Sequence, residues 1–344
     1  TVTLSLPALD GRSPLGFLAA LGTLHLLSEH TARTPRLAWS TTDCTALLDS
    51  GHQTLDGLVT DLQKTADAVP EGGVLPGLPI DLPPPGAAPD PLRLPRARLR
   101  ELAEDTYERC GSTGERWLAS LVTDLALDEQ GRAGTSLFTA PAGRQSIRTM
   151  LEKPLADLRR RPTSLREALT GWRRCPDVTG EYLDHRAVFD AVDAPDGKPR
   201  MRGVPAATWL ALMAFPLLRT TAVAGTRVSS GWQTAPARPG GKRPKQNPRL
   251  VYPLWSTPVD PHGAIALLEH PVLQGAEPGP AQAPATALSI FWVCAAERRP
   301  LPGGKSAGVL TPVAPSRPSA ERPAPGIPGS GRASRSRRGS GRNR

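Results

Sequence analysis

Between Ser13 and Leu27 the chain reads Ser-Pro-Leu-Gly-Phe-Leu-Ala-Ala-Leu-Gly-Thr-Leu-His-Leu-Leu. This stretch limits the fold more than any other. Ser13 suits an N-cap, and Pro14 fits the first helical position, where a missing N–H costs nothing. Leu15, Leu18, Leu21, Leu24 and Leu27 fill one face, while Phe17, Ala20 and Leu26 cover much of the rest. A helix that is apolar on nearly every side must be buried, and Gly16 and Gly22 would let other backbones come close. Val2 to Leu6 alternate with polar residues as a half-buried strand does, and Arg36–Ser40 reads as a second strand. The chain therefore opens as strand, buried helix (about 14–29), strand.

The remainder supports an α+β fold. Helical patterns fall at Thr54–Val69, Arg96–Arg109, Trp117–Leu125, Arg144–Arg160, from Thr163 or Ser164 to Arg174, Glu181–Val192 and Val204–Leu218, the last kinked or ending near Pro216. A break is expected at Gly111–Gly114, and Ser164 with Glu167 has capping-box spacing. Residues 70–95 carry nine prolines and read as a loop that crosses the surface or is mobile. The last third turns to strands at Thr221–Val228, Arg249–Trp255, Ala287–Cys294 and Val309–Val313, with a turn at Pro302–Gly304. The expected layout has helix-rich N-terminal two-thirds and a strand-rich C-terminal third. It forms a single α+β domain over 1–313, with a sub-boundary near 220, followed by a disordered basic tail at 314–344.

Charge is unevenly placed. Eight arginines and one glutamate between Thr311 and Arg344 account for seven of the ten net positive charges. The other residues are close to balanced, so high basicity is largely a property of the tail. Cys44, Cys110, Cys175 and Cys294 are scattered without a Cys-x-x-Cys pair, as free thiols of a reducing cytosol are. The longest apolar runs fall well short of the ~20 residues that span a bilayer. No basic segment precedes the first helix, so a signal peptide is not expected. The reading is a cytoplasmic protein without membrane contact.

Catalytic signatures are missing from the sequence. It contains no phosphate-binding Gly-x-x-x-x-Gly-Lys-Ser/Thr loop, no Gly-x-Ser-x-Gly elbow and no His-Glu-x-x-His. The six histidines never fall at metal-ligand spacing on one element, so neither metal nor cofactor is expected. His25 lies within the buried helix and reads as a core histidine. The best polar cluster is Glu181-Tyr-Leu-Asp-His-Arg186, in which Asp184 could orient His185 as a general base with Glu181 nearby. The same residues also suit a helix N-terminus, with acids complementing the dipole.

Cationic segments offer a second route to function. Arg238, Lys242, Arg243, Lys245 and Arg249 crowd a stretch with no acid between Gln233 and Arg249, flanked by Trp232, Tyr252 and Trp255. Cations beside aromatics suit a surface that tracks a nucleic-acid backbone and stacks bases. The competing reading is a solvated hairpin insertion whose flanking aromatics are core. Arg144, Arg148 and Lys153, followed by Arg173 and Arg174, could line a phosphate-facing ridge or form an ordinary solvated helix face.

Several longer stretches resemble a known family: Leu9–Gly22, Leu37–Ser40, Phe138–Gly143, Leu169–Arg174, Gly180–Arg186, Gly203–Leu212 and Lys305–Leu310. They are similar to the helicase-extension family that accompanies type I-G (formerly I-U) CRISPR systems. The resemblance covers about residues 4 to 313 and leaves out the tail. It implies a component of an RNA-guided antiviral complex, with CRISPR effector subunits, crRNA, target DNA or the helicase-nuclease as partners. It carries over no active site. The expectation is a noncatalytic accessory subunit or adaptor that contacts nucleic acid through the lysines and arginines named, with Trp232 and Tyr252 stacking. Two alternatives stand beside it: a metal-dependent nuclease using Glu181, Asp184 and His185, and a protein-docking module without nucleic-acid contact.

Overall fold

The computed structural model describes residues 2–87, 89–141, 145–189, 192–193, 199–234, 248–300 and 308–315. The opening strand β1 (Leu4–Asp10) leads into α1 (Pro14–His30), then β2 (Arg36–Trp39) and β3 (Thr45–Asp49). All three strands form one antiparallel sheet in the order β1-β3-β2. The sequence pattern had not marked β3, which separates the two expected strands. Ser13 takes the N-cap position with extended backbone, but its hydroxyl makes no capping bond. From Pro14 to Leu27 every residue of α1 is buried.

Four further helices precede the midpoint of the fold: α2 (Leu55–Asp67), α3 (Arg96–Leu121), α4 (Ile147–Arg159) and α5 (Ser164–Thr170). Thr54 caps α2 by accepting the Gly57 N–H, and Ser146 with Thr149 forms a reciprocal capping box on α4. Thr163, rather than Ser164, takes the N-cap position of α5, so the expected Ser164–Glu167 box does not form. Gly111 breaks α3 with φ of +58°, a conformation that only glycine adopts cheaply. Val122–Leu125, expected to continue the helix, instead lies in strand β4 (Val122–Leu127), paired with β5 (Ala133–Thr135). The proline-rich 70–95 stretch is irregular, but it does not merely skirt the surface: Val74, Leu75, Leu78, Leu82 and Leu92 are all buried.

After the short α6 (His185–Phe189), α7 (Pro205–Leu212) lies against α1. A Cβ placed on Gly22 would stand 1.7 Å from the Leu210 carbonyl oxygen, so the two backbones touch there. The rest is mainly strand: the hairpin β6 (Thr220–Val223) and β7 (Thr226–Ser229), then β8 (Trp232–Thr234), β9 (Pro248–Trp255), β10 (Ile290–Arg299) and β11 (Val309–Pro312). The last four are antiparallel, with β9 and β11 both pairing β10 and β8 on the outer edge of β9. Helix α8 (Pro261–Leu268), capped by Asp260, was not anticipated in this strand-rich third.

The molecule is α+β, with the two kinds of structure mixed more thoroughly than the expected division into thirds. Phe17 of α1 sits 4.3 Å from the Tyr252 ring and 5.7 Å from Trp39, and Trp39 meets Trp255 edge-on at 6.1 Å. Trp255 Nε1 donates to the Leu37 carbonyl at 2.7 Å, and Leu37 exchanges backbone bonds with Val259. One buried cluster therefore runs from Leu6 through Trp209 and Trp255 to Leu310, across position 220. His25 is buried within it, and burial, aided by the charges of Arg116 and His30, pushes its pKa down to about 3. The four cysteines are free thiols, three of them buried and Cys110 half-buried. Among the described residues no helix is long and apolar enough to cross a membrane. The basic tail from residue 316 onward and the turn at Pro302–Gly304 lie outside the described residues.

Candidate functional site

The chain between α5 and α7 makes a corner where several polar side chains leave water. Cys175–Pro176 pairs with Arg202–Gly203, and Asp177 then turns with φ of +62°. Gly180, Glu181 and Tyr182 follow with φ of +65°, +47° and +61°. Left-handed backbone costs roughly 1–2 kcal/mol per residue with a side chain. Glu181 and Tyr182 hold it because their surroundings are packed. The expected Glu181–Val192 helix is thereby reduced to a 3-10 turn, Gly180–Tyr182, and the brief α6.

Glu181 is only 3% exposed. Thr179 Oγ1 donates to its Oε1 at 3.0 Å and accepts its backbone N–H, while Gln145 Nε2 reaches Oε2 at 3.5 Å. Among the described residues no lysine or arginine pairs with it. Burial raises its pKa to about 7, against the opposing pull of the Thr179 hydrogen bond and the Lys153 charge. Asp184 has a different partner. Arg174 donates Nη1 to Oδ2 at 2.8 Å and Nη2 to Oδ1 at 3.3 Å, and the Arg186 N–H bonds Oδ1 at 3.1 Å. The Asp184 oxygens thus serve Arg174 and the start of α6, rather than orienting the His185 ring. Among the described residues no three His, Cys, Asp or Glu side chains are grouped to hold a metal ion. The Glu181, Asp184 and His185 trio expected for a metal-dependent nuclease is not assembled.

Arg298, near the end of β10, holds the corner from behind. Its guanidinium donates to the carbonyls of Phe138 (2.7 Å), Tyr182 (2.9 Å), Gly308 (3.1 Å) and Leu137 (3.3 Å). Burial lowers its pKa to about 9. These four carbonyls come from three stretches far apart in the chain. Strand alternation places Arg298 on the face of Cys294 and Ala296, but nothing local shows that other segments cover that face.

The expected nucleic-acid contacts divide sharply. Tyr252 is fully buried against Phe17, and its hydroxyl donates to the Arg12 carbonyl at 3.2 Å. Trp232 is 6% exposed and meets Phe138 edge-on at 5.6 Å. Neither ring can stack a base, because each completes the core. Arg174 is spent on Asp184 and on the Arg202 carbonyl. Arg148 donates to the carbonyls of Pro83 and Gly72, tying α4 to the proline-rich stretch. Arg249 bonds the Ala276 carbonyl and pairs with Glu277. Arg173 is exposed, 3.7 Å from Glu167, and Lys153 is exposed on α4. Of the expected ridge, Arg148 and Arg174 are therefore committed to internal partners, while Lys153 and Arg173 stay exposed. Arg144, Arg238, Lys242, Arg243 and Lys245 lie outside the described residues.

The geometry does set where the cationic segment begins and ends. β8 and β9 pair Trp232 with Leu250, Gln233 with Arg249 and Thr234 with Pro248. Thr234 and Pro248, which flank residues 235–247 in the chain, are thus neighbours on the outer edge of the C-terminal sheet. No protein-family model matches this chain, and no curated protein matches it either.

Proposed function

We propose that this chain is a noncatalytic accessory subunit or adaptor of a type I-G CRISPR antiviral system, working in the cytoplasm. On this reading it grips the phosphate backbone of crRNA or target DNA beside the effector subunits and the helicase-nuclease. The observation that carries the nucleic-acid part is the acid-free segment 235–247, whose ends are clamped together by the Thr234–Pro248 pair. Arg238, Lys242, Arg243 and Lys245 are concentrated there, whereas Arg148, Arg174 and Arg249 are committed to internal partners. The assignment to a CRISPR system rests on the resemblance of stretches such as Leu9–Gly22 and Gly180–Arg186. In such complexes guide pairing carries sequence identity, and protein contacts go mainly to shape and backbone.

Co-purification of the tagged chain from cells holding the complete system tests this. Bound crRNA and effector subunits are expected, lost on raising salt. Recovery of the chain without nucleic acid and without effector subunits at low salt would overturn it. Leu125, Leu127 and Val223 are exposed on neighbouring strands, which favours a second reading, a docking module for the helicase-nuclease. In that case the protein partners are recovered and the crRNA is not.

A further inference from the structure

We infer that a cavity between the β4–β5 and β6–β7 hairpins is a binding site for a phosphate monoester dianion, gripped by Arg93 and Arg227. This site does not depend on the nucleic-acid reading above. The cavity measures about 420 Å³ and is lined by Arg93, Leu127, Asp128, Thr135, Gly225 and Arg227, among others. A volume of that order accommodates a small organic ligand.

Three segments meet there. The Ala133 N–H donates to the Leu94 carbonyl at 2.8 Å, which fixes Arg93, near the end of the proline-rich stretch, beside the β4–β5 hairpin. Arg227 comes from β7 and reaches over β5: a Cβ placed on Gly134 would stand 3.3 Å from Arg227 Cδ. The missing side chain at Gly134 thus leaves the groove in which the Arg227 stem lies. In the β6–β7 turn, nothing stands within 4 Å of the Cβ position of Gly225, so the cavity is open on that side.

The charges around it do not balance. Asp128 is the one acid in the lining, and both of its oxygens are engaged. Oδ1 accepts the backbone N–H groups of Gln130 at 3.0 Å and Arg132 at 2.9 Å. Oδ2 accepts Arg132 Nε at 2.9 Å and also Arg93 Nη2. Arg132 does not line the cavity, yet its charge already offsets that of Asp128. Glu129 is exposed on the neighbouring turn and lines none of it.

Arg227 is left without a carboxylate. Its side-chain contact among the described residues is Nη1 with the Thr135 hydroxyl at 3.5 Å, the outer limit of a hydrogen bond. Burial, and after it the charge of Arg93, lower the Arg227 pKa, as expected of a guanidinium that has left water without meeting an anion. Arg93 keeps Nε and Nη1 without an acceptor among the described residues. Two guanidinium charges therefore face one space uncompensated. A phosphate monoester carries about two negative charges near pH 7, with three oxygens that accept guanidinium forks. A diester or a single carboxylate supplies only one charge.

Isothermal titration of the full chain in phosphate-free buffer tests this, with methyl phosphate, dimethyl phosphate, inorganic phosphate and uridine 5′-monophosphate as probes. Methyl phosphate should bind one to one, at least about tenfold tighter than dimethyl phosphate, as loss of one charge-assisted bond implies. Arg227→Gln should weaken methyl phosphate by a similar factor, and Arg227→Lys, which keeps the charge but loses the fork, should fall between. Arg93→Gln leaves Asp128 paired with Arg132 and gives a second, independent loss. Arg160→Gln, exposed on α4, should bind as the parent does. Tighter binding of uridine 5′-monophosphate than of inorganic phosphate assigns the cavity to an organic phosphate, and equal binding assigns it to the free ion; either supports the site. Methyl phosphate binding weaker than about 1 mM, equal affinity for the two methyl esters, or binding unchanged by Arg227→Gln or Arg93→Gln overturns it and leaves the proposed function untouched.

Discussion

Arg174 holds Asp184 with both terminal nitrogens, at 2.8 and 3.3 Å, in a corner where the carboxylate side chain is 2% exposed. Two residues expected to serve separate functional roles are thus each other's structural partner. Removing one member of a buried pair leaves a stranded charge, at a cost of about 3–5 kcal/mol. Asp184→Ala should lose stability on that scale in urea denaturation, while the double replacement Arg174→Met with Asp184→Leu should lose much less. A double-mutant cycle with no coupling between the two positions would contradict the pairing.

Glu181 makes stability depend on pH in an unusual direction for a carboxylate. Its folded pKa is about 7, above the unfolded value of 4.5, so between these values the unfolded chain gives up its proton first. Stability from this group is complete below the unfolded pKa and falls as pH rises toward 7. The loss is on the order of 3 kcal/mol. Glu181→Gln should flatten that slope and be the more stable form above pH 7. Urea titrations at several pH values between 4.5 and 8 read it directly, and parallel parent and variant curves would refute it.

At Gly22 the contact between α1 and α7 leaves no space for a side chain: a Cβ would meet the Leu210 carbonyl oxygen at 1.7 Å and the Ala214 nitrogen at 3.0 Å. Gly22→Ala should cost more than about 3 kcal/mol, since neither neighbour is a flexible side-chain end. Gly171→Ala provides the control, because nothing lies within 4 Å of its Cβ position. Thermal melts of the two should diverge widely.

Charge and aromatic changes near the C-terminal sheet should separate cleanly. Reversing Lys242, Arg243 and Lys245 to Glu should abolish nucleic-acid binding at moderate salt and flatten its salt dependence. Tyr252→Phe removes one hydroxyl bond, to the Arg12 carbonyl, and should cost about 1 kcal/mol of stability with affinity unchanged. Anisotropy titrations at two salt concentrations distinguish these outcomes. Weakened binding by Tyr252→Phe would mean that the hydroxyl reaches the ligand after all.

Some elements were legible because their signals are local. The Ser-Pro start and unbroken apolar run place α1 within a residue or two of its observed bounds. The start of α2 beside Thr54 and the Gly111 break are likewise written in adjacent residues. Val122–Leu125 reads as helix because Val122 and Leu125 continue a helical spacing from Trp117. The competing influence is pairing with Ala133–Thr135, which no helical pattern reveals. The candidate site was less legible still. Arg148 meets a carbonyl 65 residues away, and Arg298 meets one 160 residues away.

The amino-acid order alone determined that α1 would be buried, that the last third would supply strands, and that cations would collect between Gln233 and Arg249. Each follows from the hydrophobicity, backbone preference or charge of neighbouring residues. Only the tertiary structure decided which polar groups face inward. It turned Tyr252 and Trp232 into core, paired Arg174 with Asp184, and gave Glu181 no lysine or arginine partner among the described residues. The reason is physical: a side chain's charge and shape belong to the residue, but its desolvation and its partners belong to whatever the folded chain brings beside it.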